Sequence, residues 1–234
     1  MGTLILLRHG RSSANTAGVL AGRSPGVALD EQGQRQAEAL AERLAPVPLA
    51  AAVSSPLQRC RETMAPLLGS RDLEPTLDDR FAEVDYGDWT GRELKKLGKE
   101  PLWKVVQSHP SAAVFPGGEA LAAMQARAVA AVREWDAKLV AEQGARAVWL
   151  MCSHGDVIKA VLADALGLHL DGFQRIVVEP CSISVISYTD TRPFVGRVND
   201  VGGDVSALIP PKRRGRRRKS ASSDATVGGS TGST

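Results

Sequence analysis

Two histidines stand where apolar runs of the sequence end. The run TLILL, residues 3–7, leads through one arginine into His9, and the run AVWLMC, residues 147–152, leads through one serine into His154. A glycine follows each histidine and lets the backbone turn closely there. A neutral imidazole is a nucleophile, and ligands of parallel α/β sheets bind beyond the carboxyl ends of the strands. Either histidine alone would more often be structural, but two such corners predict that both face one functional crevice.

Two arginines extend this pattern into a cationic cluster. Arg8 directly precedes His9, and Arg59 falls in the first turn of a predicted helix, where free backbone N–H groups favour anions. Arg61 lies two positions further on, so it is predicted to be a surface charge. A cluster of Arg8, Arg59 and the two histidines needs a dianionic partner, and the planar guanidinium fork matches phosphate oxygens in pairs. The sequence therefore predicts a phosphate site.

An acidic stretch, RFAEVDYGDWTGRE at residues 80–93, offers a proton donor for a leaving group. Glu83 and Asp85 are the two candidates, and their spacing does not choose between them. The alternative is a solvated acidic loop that Tyr86 and Trp89 anchor.

Alternating segments predict the elements that position these residues. Periodicity indicates strands at 3–7, 50–53, 147–152, 176–178, 183–188 and 194–198, and helices at 31–44, from 56 onward, at 119–143 and at 157–166. Asp30 and Ser55 are the predicted N-caps of the first two helices, and Gly144 and Gly167 end the last two. This order favours an α/β fold, a three-layer αβα sandwich with a mostly parallel central sheet.

The C-terminal residues differ in composition from the rest. Seven of the 29 basic side chains and one of the 26 acidic ones fall within residues 212–234, which leaves 22 basic and 25 acidic side chains before them. We predict a folded domain at residues 1–209 and a disordered basic tail at 210–234. Such a tail would bind nucleic acid or an acidic surface in a salt-dependent way, or it would only aid solubility.

Composition excludes other classes. Cys60, Cys152 and Cys181 are odd in number and widely spaced, so they predict buried side chains rather than disulfides or a zinc site. No apolar run is long enough to span a membrane and no signal peptide is visible, which predicts a cytoplasmic protein without membrane insertion. No cofactor or metal is predicted. His109 and His169 lie outside every motif and are predicted at the surface.

Six segments together resemble the histidine phosphatase superfamily, the phosphoglycerate-mutase-like family. They occur in the family's order, over about residues 3–190: LLRHGRSSAN (6–15), ALDEQGQRQA (28–37), SSPLQRCRET (54–63), EVDYGDWTG (83–91), PGGEA (116–120) and CSHGDVIKA (152–160). The resemblance implies the phosphoglycerate-mutase-like αβα fold and an enzyme that transfers phosphoryl groups from small phosphorylated metabolites.

The resemblance also implies residue roles around the phosphate. His9 matches the nucleophile, which becomes a phosphohistidine, and Arg8, Arg59 and His154 match the groups that hold the phosphoryl oxygens. Asn15 matches a polar residue that reaches the phosphate in many members.

Proton transfer is assigned by the resemblance as well. Glu83 matches the usual general acid, and Asp156 matches the acid of some phosphatase branches. Glu119 lies near the site in the family, although an interaction with a helix dipole explains it nearly as well. If Glu83 keeps a low pKa, an acidic activity optimum follows.

Some positions depart from the family pattern and leave the substrate open. Arg11 and Ser12 follow the first histidine's glycine, Ala14 replaces a tryptophan, and Ala-Leu-Asp occupies residues 28–30. The segment between residues 83 and 116 is shorter than in phosphoglycerate mutases, so water should reach the phosphohistidine more easily, which favours a phosphatase over a phosphomutase. The resemblance further implies that this phosphatase is metal-independent and of acid type. The third alternative is an interaction module recruited by the basic tail. Oligomeric state stays open, a homo-oligomer included.

Overall fold

The computed structural model describes residues 2–69, 71–203 and 227–229. Among them, six strands form one sheet in the order β3-β2-β4-β1-β5-β6. Their bounds are β1 Thr3–Arg8, β2 Ala51–Ser54, β3 Thr76–Leu77, β4 Val148–Ser153, β5 Ile183–Tyr188 and β6 Pro193–Asp200. The first four pair in parallel, whereas β5 runs antiparallel to both β1 and β6. The prediction of an α/β fold with a mostly parallel sheet is confirmed.

Seven α-helices accompany the sheet within the described residues. They are α1 Ser13–Ala17, α2 Glu31–Leu44, α3 Gln58–Leu68, α4 Leu94–Leu97, α5 Pro101–Ser108, α6 Leu121–Gln143 and α7 Gly155–Ala165. Short 3₁₀ turns occur at Asp79–Phe81, Gly87–Trp89, Pro110–Ala112 and Leu170–Arg175. The predicted helix at 31–44 has these bounds, and the Asp30 side chain caps it by accepting from the N–H of Gly33.

Alternation along β1 separates two hydrophobic layers. Leu4 and Leu6 belong to the larger core cluster, which α6 and α7 cover, whereas Ile5 and Leu7 belong to a second cluster with α2 and α3. Successive side chains of a strand point to opposite faces, so one apolar run serves both layers. The αβα sandwich follows from this arrangement.

One predicted strand is wrong. Residues 176–178 belong to no strand. The backbone carbonyl of Val178 accepts a hydrogen bond from Nη1 of Arg8 at 2.6 Å, so this segment holds a site residue instead of joining the sheet. None of the described helices is both long enough and apolar enough to cross a membrane.

Register places the two histidine corners side by side. In the parallel pair β1–β4, Arg8 lies opposite Ser153, and the N–H of His9 donates to the carbonyl of Ser153 at 3.0 Å. The two imidazole centroids are 5.2 Å apart. The prediction that both histidines lie at one sheet edge is met by this geometry.

Candidate active site

The ring of His9 is held with a defined nitrogen facing the site. Its Nδ1 lies 2.7 Å from the carbonyl oxygen of Gly10, which can only accept, so Nδ1 carries the proton. Nε2 therefore has a lone pair, and it accepts a hydrogen bond from Nε of Arg59 at 3.3 Å. Burial and the nearby charges of Arg59 and Arg8 lower the pKa of His9 well below its usual value. The ring is neutral at neutral pH, as a nucleophile must be.

His154 is oriented by a serine and an arginine. Nη2 of Arg59 donates to its Nδ1 at 3.0 Å, so its Nε2 carries the proton and donates to Oγ of Ser55 at 2.8 Å. A hydroxyl can donate as well as accept, so Ser55 would also support the other tautomer, but only where Nη2 of Arg59 no longer donates to Nδ1. Burial and Arg59 lower the pKa of His154 well below its usual value.

The prediction of Ser55 as an N-cap is wrong. Helix α3 begins at Gln58, its N-cap is Leu57, and no side chain caps it. The hydroxyl of Ser55 bonds to His154 instead, 99 residues away, and is only 3.4 Å from the N–H of Leu57. Arg59 does lie in the first turn of this helix, as predicted.

Both arginines of the cluster are buried and keep a donor without a partner. Arg59 also donates to the carbonyl of Gly22 at 2.9 Å, but its Nη1 has no hydrogen-bond partner among the described residues. The same holds for Nε of Arg8. Burial lowers the pKa of Arg8. Buried donors of this kind are costly unless an acceptor satisfies them, and a phosphoryl group has the oxygens to do so.

Glu83 lines the same pocket as His9, Asn15 and Arg59. Its side chain is buried, and Oε1 accepts from the N–H of Val84 at 3.0 Å. Burial, and then the negative charge of Asp156, raise the pKa of Glu83 to about 7. The condition for an acidic optimum, a low pKa at Glu83, is therefore not met. Asp85, the other candidate, does not line the pocket.

Glu119 organises the loop that carries Glu83. Arg127 donates to Glu119 at 2.6 Å and to the backbone carbonyl of Glu83 at 3.2 Å. Arg23 bridges the same two residues, at 3.1 and 2.8 Å. Hydrogen bonds from Arg127 and Asp85 outweigh partial burial and lower the pKa of Glu119. This carboxylate is thus a positioning residue for Glu83 rather than a proton donor.

Asp156 is fully buried and saturated with donors. The hydroxyl of Tyr86 and the N–H of Gly228 donate to its Oδ2 at 2.9 and 3.0 Å, and Nζ of Lys159 donates to Oδ1 at 3.2 Å. Its side chain acts on the site through its charge, which raises the pKa of Glu83. Tyr86 is thus more than a loop anchor, because its hydroxyl helps to hold this charge.

Two of the residues that depart from the family pattern, Arg11 and Asp30, contact each other. Arg11 forms an ion pair with Asp30 at 2.7 Å, and Thr16 donates to the same carboxylate. Asn15 lines the pocket, but its Oδ1 accepts from the backbone and hydroxyl of Ser12, which caps α1. The amide of Asn15 is free to reach a phosphate only through its NH₂ group.

Other predicted residues lie away from the pocket. His109, His169 and Arg61 are exposed, as predicted. The three cysteines are buried and free. Trp89 is buried and stacks on Trp103 with ring centroids 6.2 Å apart, which fits the prediction of Trp89 as a loop anchor.

Thr63 and Val227–Gly229 also belong to the site, although no sequence motif identified them. Thr63 accepts from the N–H of Gly10 at 2.9 Å and donates to the carbonyl of Arg59 at 2.6 Å, so it ties the two catalytic corners together. Residues Val227–Gly229, predicted to be disordered, line the pocket; the rest of the predicted tail lies outside the described residues. Their glycines pack against Gly155, a contact that composition does not reveal.

The architecture is that of the phosphoglycerate-mutase-like α/β proteins. YhfR of Bacillus stearothermophilus has the same fold, with a TM-score of 0.77 and 26% identity over 86% of this chain and 98% of that one. A mycobacterial glucosyl-3-phosphoglycerate phosphatase in complex with VO3 aligns with a TM-score of 0.74 and 27% identity, over 85% and 98% of the two chains.

Sequence comparison identifies the family. The family model of the histidine phosphatase superfamily (branch 1) matches residues 4–201, and the chain belongs to this superfamily. Phosphoserine phosphatase 1 of Hydrogenobacter thermophilus is 30% identical over 84% of this chain and 91% of its own length. A probable phosphoglycerate mutase, GpmB, of Salmonella choleraesuis is 30% identical over 88% and 94%.

The family includes longer proteins. A probable 2-carboxy-D-arabinitol-1-phosphatase of Arabidopsis thaliana is 30% identical over 79% of this chain, which spans only 38% of that protein. With such relatives, the chain is a phosphatase- or mutase-like enzyme of the superfamily.

Proposed function

We propose that this chain is a phosphomonoester hydrolase that works through a phosphohistidine at His9. Nε2 of His9 attacks phosphorus, the bond from phosphorus to the ester oxygen breaks, and Glu83 gives its proton to the departing alcohol. Water then attacks the phosphohistidine, Glu83 takes a proton from it, and inorganic phosphate leaves. Covalent transfer of this kind divides one difficult displacement into two easier ones.

The observation that carries this proposal is the pairing of a neutral, oriented nucleophile with a protonated acid in one pocket. The Nε2 lone pair of His9 is fixed by the bond from Nδ1 to Gly10, and Glu83 has a pKa of about 7. A donor with this pKa is largely protonated at slightly acidic pH and still transfers its proton readily.

Charge stabilisation is assigned to the groups around the nucleophile. The unpartnered donors of Arg8 and Arg59 supply N–H groups for the phosphoryl oxygens, and His154 supplies another once Nη2 of Arg59 turns from its Nδ1 to the phosphate and Ser55 donates to its Nε2. Pre-oriented donors that meet developing charge are usually the largest contribution to such catalysis. No metal or cofactor takes part in this mechanism, so chelation by EDTA is expected to leave turnover unchanged.

Phosphatase rather than mutase activity is proposed because the segment between residues 83 and 116 is short. A short segment encloses the site less, so water can reach the phosphohistidine. We propose that the substrates are small phosphorylated metabolites and that the protein acts in the cytoplasm. The relatives named above act, by their names, on phosphoserine, on phosphoglycerate and on a sugar-acid phosphate, so these compounds belong in the first panel.

A hydrolysis panel tests the proposal. It contains an aryl phosphate, phosphoserine, 3-phosphoglycerate, sugar phosphates and α-ribazole phosphate, each with the wild type, His9→Ala and the exposed control His109→Ala. We expect phosphate release by the wild type and the control, an acid-labile phosphoenzyme in a rapid quench, and neither with His9→Ala. Undiminished turnover by His9→Ala refutes the covalent mechanism. Conversion of 3- to 2-phosphoglycerate, dependent on 2,3-bisphosphoglycerate, would replace the hydrolase by a phosphomutase.

A further inference from the structure

Three residues near the C-terminus lie inside the catalytic pocket. Val227, Gly228 and Gly229 line it together with His9 and Glu83. The side chain of Val227 is 1% exposed and belongs to the larger core cluster. This segment is therefore packed into the molecule and not merely laid over its surface.

Its polar contacts are made with groups of the site. The N–H of Gly228 donates to Oδ2 of Asp156 at 3.0 Å, and its carbonyl oxygen lies 3.5 Å from Nη2 of Arg8, a long hydrogen bond. Gly229 packs directly on the guanidinium, since a Cβ placed on it would lie 3.2 Å from Cζ of Arg8. The segment thus covers a cation that the proposed mechanism uses to hold phosphate.

The fit depends on three glycines. A Cβ on Gly155 would lie 2.7 Å from the carbonyl oxygen of Gly228 and 2.9 Å from Cα of Gly229. Gly228 and Gly229 have φ values of +81° and +86°, which residues with side chains rarely adopt. The docked conformation therefore needs glycine on both sides of the contact.

We propose that Val227–Gly229 is a tethered competitor of the substrate, which must leave the pocket before a phosphoryl group can engage Arg8. This inference rests on the proposed function for the identity of the group that competes. The carbonyl of Gly228 and the backbone of Gly229 lie against the guanidinium whose Nε is assigned to a phosphoryl oxygen, so segment and phosphate compete for the space beside Arg8. A phosphate dianion gains a Coulomb attraction to Arg8 and Arg59 that the neutral carbonyl of Gly228 lacks, so a substrate can displace the segment.

The tether makes such weak contacts effective. Residues 204–226 connect Gly203 to the segment, and a chain of that length spans up to about 75 Å when extended, so reach is not limiting. Docking of a covalently linked segment is intramolecular, so it does not depend on the protein concentration. A competitor that occupies the pocket nine-tenths of the time raises the apparent KM about tenfold, because only the open fraction binds substrate.

The test compares full-length protein with a chain lacking residues 227–234 and with a control lacking only 230–234. Deletion of 227–234 should lower KM severalfold to tenfold and leave kcat unchanged, since saturating substrate displaces the segment in any case. Isothermal titration with inorganic phosphate should show a Kd lowered by the same factor. The control should retain the wild-type KM and Kd.

A point variant provides a second test in case the deletion impairs folding. Val227→Asp places a charge where the side chain is buried and should release the segment, whereas Val201→Asp adds the same charge at a valine that is 45% exposed. We expect only Val227→Asp to lower KM and the phosphate Kd. Unchanged constants, or a higher KM or lower kcat in the released forms, overturn the proposal. Phosphate binding does not require turnover, so a failure of the proposed hydrolase activity would leave this test readable.

Discussion

Glu83→Gln isolates the proton that we assign to the leaving group. The substitution keeps the volume and the oxygen that accepts from the N–H of Val84, but it removes the acid. Alkyl phosphates release an alkoxide, which is a poor leaving group unless it is protonated, so their turnover should fall on the order of a hundredfold to ten-thousandfold. An aryl phosphate with a good leaving group needs little protonation and should lose far less. The ratio of kcat/KM for the two substrates is the measurement.

The same variant should change the pH dependence of turnover. Glu83 has a pKa of about 7 because of its burial and the charge of Asp156. As pH rises through that value the acid is lost, so kcat/KM of the wild type for alkyl phosphates should fall above about pH 7. Glu83→Gln should lack this limb. An unchanged limb in the variant would show that another group titrates there.

The pH dependence of the free energy of unfolding provides a second test of the buried Glu83 carboxyl. Its folded pKa of about 7 lies above the unfolded value of 4.5, so the folded state binds more protons between those pH values. Protonation of Glu83 contributes ~3 kcal/mol to the free energy of unfolding below pH 4.5. This contribution is lost as pH rises through 7. Glutamine does not titrate, so the variant should gain about this much relative to the wild type between pH 4 and pH 8.

Urea unfolding at the two pH values measures that difference. Glu142→Gln is the matched control, because Glu142 is exposed on α6. If Glu83→Gln and Glu142→Gln shift the free energy of unfolding equally at both pH values, Glu83 is not a buried, protonated acid and the reasoning fails.

Three further perturbations probe other parts of the molecule. Ser55→Ala leaves the buried Nε2–H of His154 without its hydroxyl, and should lower kcat about tenfold with a smaller effect on KM; Ser55→Thr, which retains a hydroxyl, should restore it. Asp156→Asn removes a charge that raises the pKa of Glu83, so the alkaline limb of kcat/KM should move to lower pH; a limb that stays or rises contradicts this role. The basic stretch 212–219 should give full-length protein a nucleic-acid affinity that falls steeply with salt in filter binding and is absent when residues 212–234 are deleted.

Strong periodicity made the strands at the site predictable. The apolar runs of β1 and β4 are continuous, and the glycine after each histidine marks where the strand ends. Those local signals were enough to place His9 and His154 at one edge. The segment at 176–178 shows the limit, because its apolar residues suit an extended chain but its carbonyl is engaged by the Arg8 side chain.

Contacts between distant residues could not be predicted. Ser55 precedes a proline at the start of a helix and has the local features of a cap, yet its partner is 99 residues away. Resemblance, not spacing, favoured Glu83 over Asp85, because spacing does not show which of the two carboxyl groups lines the pocket. Residues 227–229 lie in a stretch rich in glycine, serine and threonine, which is typical of disorder. Their contact is possible only because residue 155 is a glycine, which has no Cβ to collide with them.

Strand order has a consequence for how the chain is made. β4 lies between β1 and β2, so the two earlier strands never pair with each other and both wait for a strand that begins at Val148. Until β4 has left the ribosome, β1 has no parallel partner and β2 pairs only with the two-residue strand β3, and unpaired edges of this kind recruit other chains. Synthesis that stops between β2 and β4 would therefore release an aggregation-prone fragment rather than a smaller folded domain.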